Sequence, residues 1–221
     1  SSLVFFLSKL TALVLLQISL LFVIMLTGIT IQVYNSYYKI ELIQYFKELF
    51  GLKLISLTLV CIMAMTLQVI INNKYIAYFV AVLILILLPI AFTLLEWNNQ
   101  MFLFNSSGPR LPYSDMNGYG HGIYPFFIFK IYWGSFALML VVLSNLLWVR
   151  GKEKGIRARL RIAKPLFNNK AKLIISLGII VFLLSGGFFY YNTSILNENI
   201  SAKEELLLQA EYEKKYHQFH N

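Results

Sequence analysis

The sequence predicts an all-α protein, a polytopic transmembrane helix bundle. About five spanning helices are expected, plus an interfacial helix and a C-terminal extramembrane helix. Three observations carry this. Hydrophobic residues make up 58% of the 221 and charged residues only 13%, about half the charge of a soluble domain. The mean hydropathy is +0.68. The apolar residues also fall in long runs, and about 20 residues at 1.5 Å each cross a hydrocarbon core of roughly 30 Å.

The runs are 9–32, 51–72, 75–95, 126–149 and 172–191. Backbone polar groups find no water in lipid, so these runs are helices unless a barrel closes. A barrel needs strands of alternating polarity, and these runs do not alternate. Residues 1–191 therefore form the membrane domain. Residues 192–221 read as an external helical linker leading into a further domain.

The first run is too long for a signal-peptide core, and no small-residue cleavage site follows it. The chain starts Ser1-Ser2 without Met, which suggests a processed chain or a piece of a longer one. Between the first two runs, Tyr38, Leu42, Tyr45, Phe46, Leu49 and Phe50 recur at helical spacing, with Lys39, Glu41, Gln44, Lys47 and Glu48 between them. Two readings stand: a helix lying in the interface plane, or an amphipathic extension of the second span. Asn72-Asn73-Lys74 alone joins the second and third runs, which makes an antiparallel hairpin. Pro89 removes a backbone donor inside the third run, where a kink is expected.

Charge sets the expected orientation. Residues 150–172, "RGKEKGIRARLRIAKPLFNNKAK", hold nine of the 19 Lys/Arg and one Glu. A basic loop beside two spans marks the cytoplasmic side. The N-terminus is then cytoplasmic, loop 96–125 external and the C-terminus external. The same charge cluster between spans argues for a lipid or protein contact rather than nucleic acid.

The tail "SAKEELLLQAEYEKKYHQFH" begins with Ser201 and Glu204 at capping-box spacing. Glu211 and Lys215 follow at i,i+4. It reads as a helix with no stop signal, so something is expected to follow it.

Chemistry is sparse. There is no His-Glu-x-x-His and no phosphate-binding glycine loop. His217 and His220 share a face without a third ligand at metal spacing. Cys61 reads as a small apolar side chain. No catalytic, cofactor-binding or metal-ligating residue is assigned within this segment, and no enzyme activity is expected of it.

Two places still gather candidates. "PYSDMNGYGHGIYPF", residues 112–126, is rich in turn-forming Gly, Pro, Asn and Asp, with tyrosines suited to a membrane boundary. It reads as an external loop capping the third and fourth spans. As a loop or gate its candidates are Tyr113, Asp115, Asn117 and His121, with Asp115 placed to fix an Asx-turn. Ser114, Asp115 and His121 form a triad by residue type only. Gln17, Gln68 and Lys130 are the notable polar residues inside runs. Lys130 can snorkel outward or pair with Glu96.

Five stretches, "PYSDMNGYGH", "FKIYWGSFALML", "RGKEKGIRARLRIA", "YYNTSILNEN" and "AEYEKKYHQF", resemble one group of bacterial, Bacteroidetes-like membrane proteins. These are fusions of a type-2 ABC export permease with a C-terminal zinc aminopeptidase of the aminopeptidase N type. The resemblance runs from about Ser36 to the C-terminus. It implies an inner-membrane permease domain that works as a homo- or hetero-oligomer with a separate ATPase subunit, so ATP sits on that partner. Zinc sits in a domain beyond this segment, on the periplasmic side, because the zinc motif is not within the chain. Arg150, Lys152, Arg157, Arg159 and Arg161 are the candidate contacts to the ATPase or to lipid. The alternative is a membrane anchor for the peptidase that transports nothing.

Overall fold

The computed structural model describes residues 2–71, 73–95, 100–102, 104, 111, 113–114, 116–148, 161, 163–165, 167–196 and 202–216. Five helices are long and apolar enough to cross a membrane. We number them α1 (Ser2–Tyr34), α2 (Leu42–Ile71), α3 (Lys74–Phe92), α4 (Ile123–Leu147) and α5 (Asn169–Tyr190). A sixth helix, α6 (Ala202–Tyr216), is polar and exposed over its last ten residues. No strand occurs among the described residues.

Each helix has a local cause. In α1 the hydroxyls of Thr11, Ser19, Thr27 and Thr30 donate to carbonyls three or four residues back. That internal bonding lets polar side chains face lipid without an orphaned donor. Asn73 caps α3 by accepting from the Tyr75 and Ile76 amides. Asn168 caps α5 by accepting from Ala171.

α1 closes in a Schellman turn. The Tyr37 amide donates to the Gln32 carbonyl and the Ser36 amide to the Val33 carbonyl. Ser36 sits at φ 60°, the left-handed region. Glycine adopts that region without a Cβ clash. Ser36→Gly should therefore stabilise the protein by about 0.5–1 kcal/mol, read as a higher thermal midpoint in detergent. An unchanged or lower midpoint would show that the serine side chain has a compensating role.

Helix α2 decides between the two readings of residues 36–50. It is continuous from Leu42 to Ile71, so there is no separate interfacial helix at 36–50; the amphipathic residues form the first turns of the second span. Tyr38 and Lys39 precede it. The helix rises about 45 Å, which exceeds the hydrocarbon core. Its first turns therefore stand at the boundary, where a mixed polar and aromatic face is stable. Phe46–Lys53 within it is π-helical, so Gly51 lies in a widened turn rather than at a break.

In α3, Leu83–Leu87 is π-helical immediately before Pro89. Pro89 has no N–H to donate four residues back, and the wider turn accommodates the missing bond. At Pro89, where a kink is expected, the preceding turns change hydrogen-bond register.

Helix α4 lies at the centre. It packs antiparallel to α5, with Phe129 against Phe189 at 5.4 Å between ring centroids. Further along, Tyr132 packs at Gly186 and Met139 at Gly178. Against α2, the Ser144 hydroxyl donates to Thr66 Oγ1 at 2.9 Å, both residues buried. Leu59, Phe129, Tyr132, Trp133, Ala137 and Phe189 form the core cluster. Between α1 and α2, Gln17 Nε2 donates to the Leu57 carbonyl at 3.3 Å and to Cys61 Sγ at 2.8 Å. Cys61 is thus half-buried and serves as an acceptor as well as a small apolar group. Gln68 is exposed, one turn from the end of α2.

These pairings fix the two ends of the bundle. At one end the start of α1 meets the end of α4, with Lys9 Nζ 5.1 Å from the centre of the Trp148 ring and Phe6 edge-on to it. At the other end the last turns of α1 meet the first turns of α2, with Tyr45 against Gly28.

Candidate functional site at the tyrosine-rich end

Loop 113–122 is built as its residue types direct. The Gly118 amide donates to the Ser114 carbonyl, and the Ser114 amide donates back to the Gly118 carbonyl. Gly118 and Gly120 have φ of 59° and 53°, which bulkier residues rarely adopt. The Asn117-Gly118 pair thus makes the expected turn. Asn117 is exposed and packs its amide over Gly120. A single 3-10 turn, Gly120–Gly122, leads into α4.

The loop is tied to α2 through Tyr119. Gln44 Nε2 donates to the Tyr119 oxygen at 2.9 Å and to Glu48 Oε1 at 2.7 Å. The Tyr119 hydroxyl in turn donates to Glu48 Oε1 at 3.4 Å. Burial, and then the neighbouring Glu48 charge, push the Tyr119 phenol above its ordinary value of 10.0, against the Gln44 hydrogen bond. The neutral phenol is the form this tie holds, so it persists below pH 10 and is lost as pH rises through the raised value. Tyr113 meets Tyr119 edge-on at 5.3 Å.

Two recesses flank Glu48. The first, about 340 Å³, lies between the end of α1 and the start of α2 and is lined by Gln32, Glu41, Glu48 and Tyr113 among others. The second, about 360 Å³, is lined by Glu48, Lys53, Ser56, Tyr119 and Phe126. Both volumes are in the range of small-ligand sites. Behind Phe126 lies Lys130, only 5% exposed. Its Nζ stands 5.2 Å from the Phe126 ring centre and 5.6 Å from that of Phe129. Lys130 is therefore enclosed between aromatic faces rather than extended into solvent.

Of the candidates read from the sequence, the structure brings Tyr113 to the first recess and puts Lys130 behind the second. Asn117 serves the turn. Glu96, Asp115, Arg150, Lys152, Arg157 and Arg159, the side chain of His121, and His217 and His220 lie outside the described residues; Arg161 is exposed. The Asx-turn, the Glu96 pairing and the Ser201 cap likewise lie outside the described residues. Sequence reasoning missed Gln32 and placed Gln44 and Glu48 only on the polar face of the amphipathic stretch, without a partner. The signal was there in part, since Gln44 and Glu48 are an i,i+4 pair. Among the described residues no group of three or more His, Cys, Asp or Glu is placed to hold a metal ion. No protein-family model, curated protein or solved structure matches the chain.

Proposed function

We propose that the chain is the permease-like membrane domain of an ABC-type exporter of a bacterial inner membrane. Its N-terminus is cytoplasmic and its C-terminus periplasmic. It works as an oligomer with a separate ATPase subunit that contacts the basic segment at Arg150, Lys152, Arg157, Arg159 and Arg161. In the complete polypeptide, α6 leads into an external zinc aminopeptidase. The observation that supports this best is the division of the two ends. The end of α4 at Leu147 and the start of α5 at Asn169, which the basic segment 150–172 connects, lie at the end opposite the recessed, tyrosine-rich loop. A cytoplasmic ATPase and an external substrate face need such a division. The resemblance of the five sequence stretches supplies the rest. A second reading, an anchor that holds the peptidase without transport, is favoured by the aromatic cluster filling the space between α2, α4 and α5.

The test is reconstitution of the complete gene product in liposomes with the ATPase encoded beside it. Stimulated ATP hydrolysis that Arg157→Glu/Arg159→Glu abolishes supports the exporter. Intact peptidase activity with no stimulation supports the anchor. A stop codon directly after Asn221 would remove the fusion. Orientation is read separately: in a Cys61→Ser background, cysteines at Ser114 and Lys154 should label from opposite sides of the membrane. Labelling from one side would refute the topology.

A further inference from the structure

Part of the connection between α3 and α4 leaves the surface. Its 3-10 turn, Gln100–Phe102, packs on α5, with Met101 Cε 3.1 Å from where a Cβ on Gly186 would stand. Phe104 goes further in. Its ring meets those of Trp133 and Phe136 edge-on, at 4.9 and 6.0 Å between centroids. Phe136 is near the middle of the 25-residue α4, about 20 Å from its start at 1.5 Å per residue. Leu111 is back beside Tyr119, lining the second recess. Because α3 runs back along α2, it ends at the same tyrosine-rich end. The chain therefore leaves that end, reaches the level of the aromatic cluster and returns.

Lipid offers the backbone no hydrogen bonds, and a single 3-10 turn cannot pair all of its own groups. Non-helical backbone at such depth is stable only where protein covers it or water reaches it. Protein covers one side, since Met101 and Phe104 pack on the core cluster that contains Trp133 and Phe189. The cover stops there: Met101 and Phe104 each stay partly exposed, and Phe102 is 54% exposed. Water has to reach that open side. Beneath the Phe104 ring the cluster is closed. Trp133 is buried, and its Nε1 has no hydrogen-bond partner among the described residues. An unpaired buried donor is destabilising, and water admitted to the cluster would satisfy it. That gain offsets part of the packing lost when the ring leaves, which narrows the gap between the sealed and the opened arrangement.

We infer that Met101, Phe102 and Phe104 belong to a re-entrant segment on the wall of a water-filled vestibule, and that the Phe104 ring seals the crevice between α4 and α5. The inference holds for an exporter and for an anchor alike.

Single cysteines in a Cys61→Ser background test it in proteoliposomes, with a membrane-impermeant thiosulfonate added from one face at a time. Ser114→Cys marks the face of the loop, whichever side of the membrane that is. Phe102→Cys should label from that face at a comparable rate. Phe136→Cys should label slowly in the parent and about tenfold faster with Phe104→Ala, because a buried group reacts only when its cover opens. Phe104→Leu, which keeps most of the bulk, should leave it slow. Leu184, 70% exposed on the side of α5 turned away from Phe182, is the lipid control, and Leu184→Cys should stay unlabelled. Thermal midpoints in detergent close to that of the parent show that the folded protein is being read, and the Phe102→Cys result needs no change at Phe104. Phe102→Cys unlabelled from either face would place lipid or a second copy over the segment and overturn the vestibule. A Phe136→Cys rate unchanged by Phe104→Ala would overturn the seal. Labelling of Leu184→Cys as fast as Phe102→Cys would overturn both, since the reagent would then reach the lipid face.

Discussion

Gly186→Leu should separate α4 from α5 and cost about 3 kcal/mol, the upper range for overpacking a tight interface. A Cβ on Gly186 would stand 2.9 Å from Tyr132 Cε2 and 3.1 Å from Met101 Cε. Tyr132 cannot yield easily, because its ring stacks on Phe182 at 4.3 Å and is buried on α4. In lipid there is no hydrophobic force between helices, so close backbone approach through small residues carries the association. Gly178 makes the same kind of approach to Met139 at 2.9 Å, but a methionine side chain bends away, so Gly178→Leu should cost less. A Cβ on the neighbouring Gly187 would meet nothing within 4 Å, and Gly187→Leu should be neutral within about 0.5 kcal/mol. The measurement is the unfolding free energy of the three variants in bicelles. Equal losses for Gly186→Leu and Gly187→Leu would show that the α4–α5 contact does not depend on this approach.

The contrast between those glycines marks what the sequence discloses. Both lie in the run 172–191, and the run's length and hydropathy already make it a span. Which glycine faces a partner depends on the rotation of α5 about its axis, and a run that is apolar all round has no periodic face to reveal it. The loop behaves differently. Asn117-Gly118 makes its turn because local backbone preference decides it, and local preference is written in adjacent residues.

The recess is the opposite case. Gln32 and Glu48 lie on different helices and meet Tyr113 only through folding. Gln44 and Glu48 read only as the polar face of an amphipathic stretch, because their partner, Tyr119, is 75 and 71 residues away. The π-helical stretch Phe46–Lys53 carries no sequence mark either, unlike Leu83–Leu87 ahead of Pro89. The depth of Lys130 is legible from its place in the fourth run, yet its enclosure by Phe126 and Phe129 comes from the rotation of α4.

Phe129→Ala should cost roughly 2–3 kcal/mol, less than the about 3–5 kcal/mol of a Phe→Ala change in a water-soluble core, and it should disturb Lys130 as well. Phe129 is fully buried, with its ring 5.4 Å from Phe189 and 6.5 Å from Trp133. The separated helices are solvated by lipid, so the transfer part of the loss shrinks and the cavity part remains. Phe127 is the internal control, since it is 41% exposed on the adjacent face, and Phe127→Ala should cost less than about 1 kcal/mol. The second effect follows from the ammonium of Lys130, which stands over the Phe129 ring. Loss of that face removes an attraction worth about 0.5–2 kcal/mol, and Phe129→Leu, which refills most of the volume without a ring, isolates it. Phe129→Leu should therefore recover most of the packing but none of the cation–π contact. Unfolding free energies of Phe129→Ala and Phe129→Leu, each with and without Lys130→Met, measure the coupling. A zero coupling between Phe129 and Lys130 would mean that the rings merely cover the lysine and do not hold its charge.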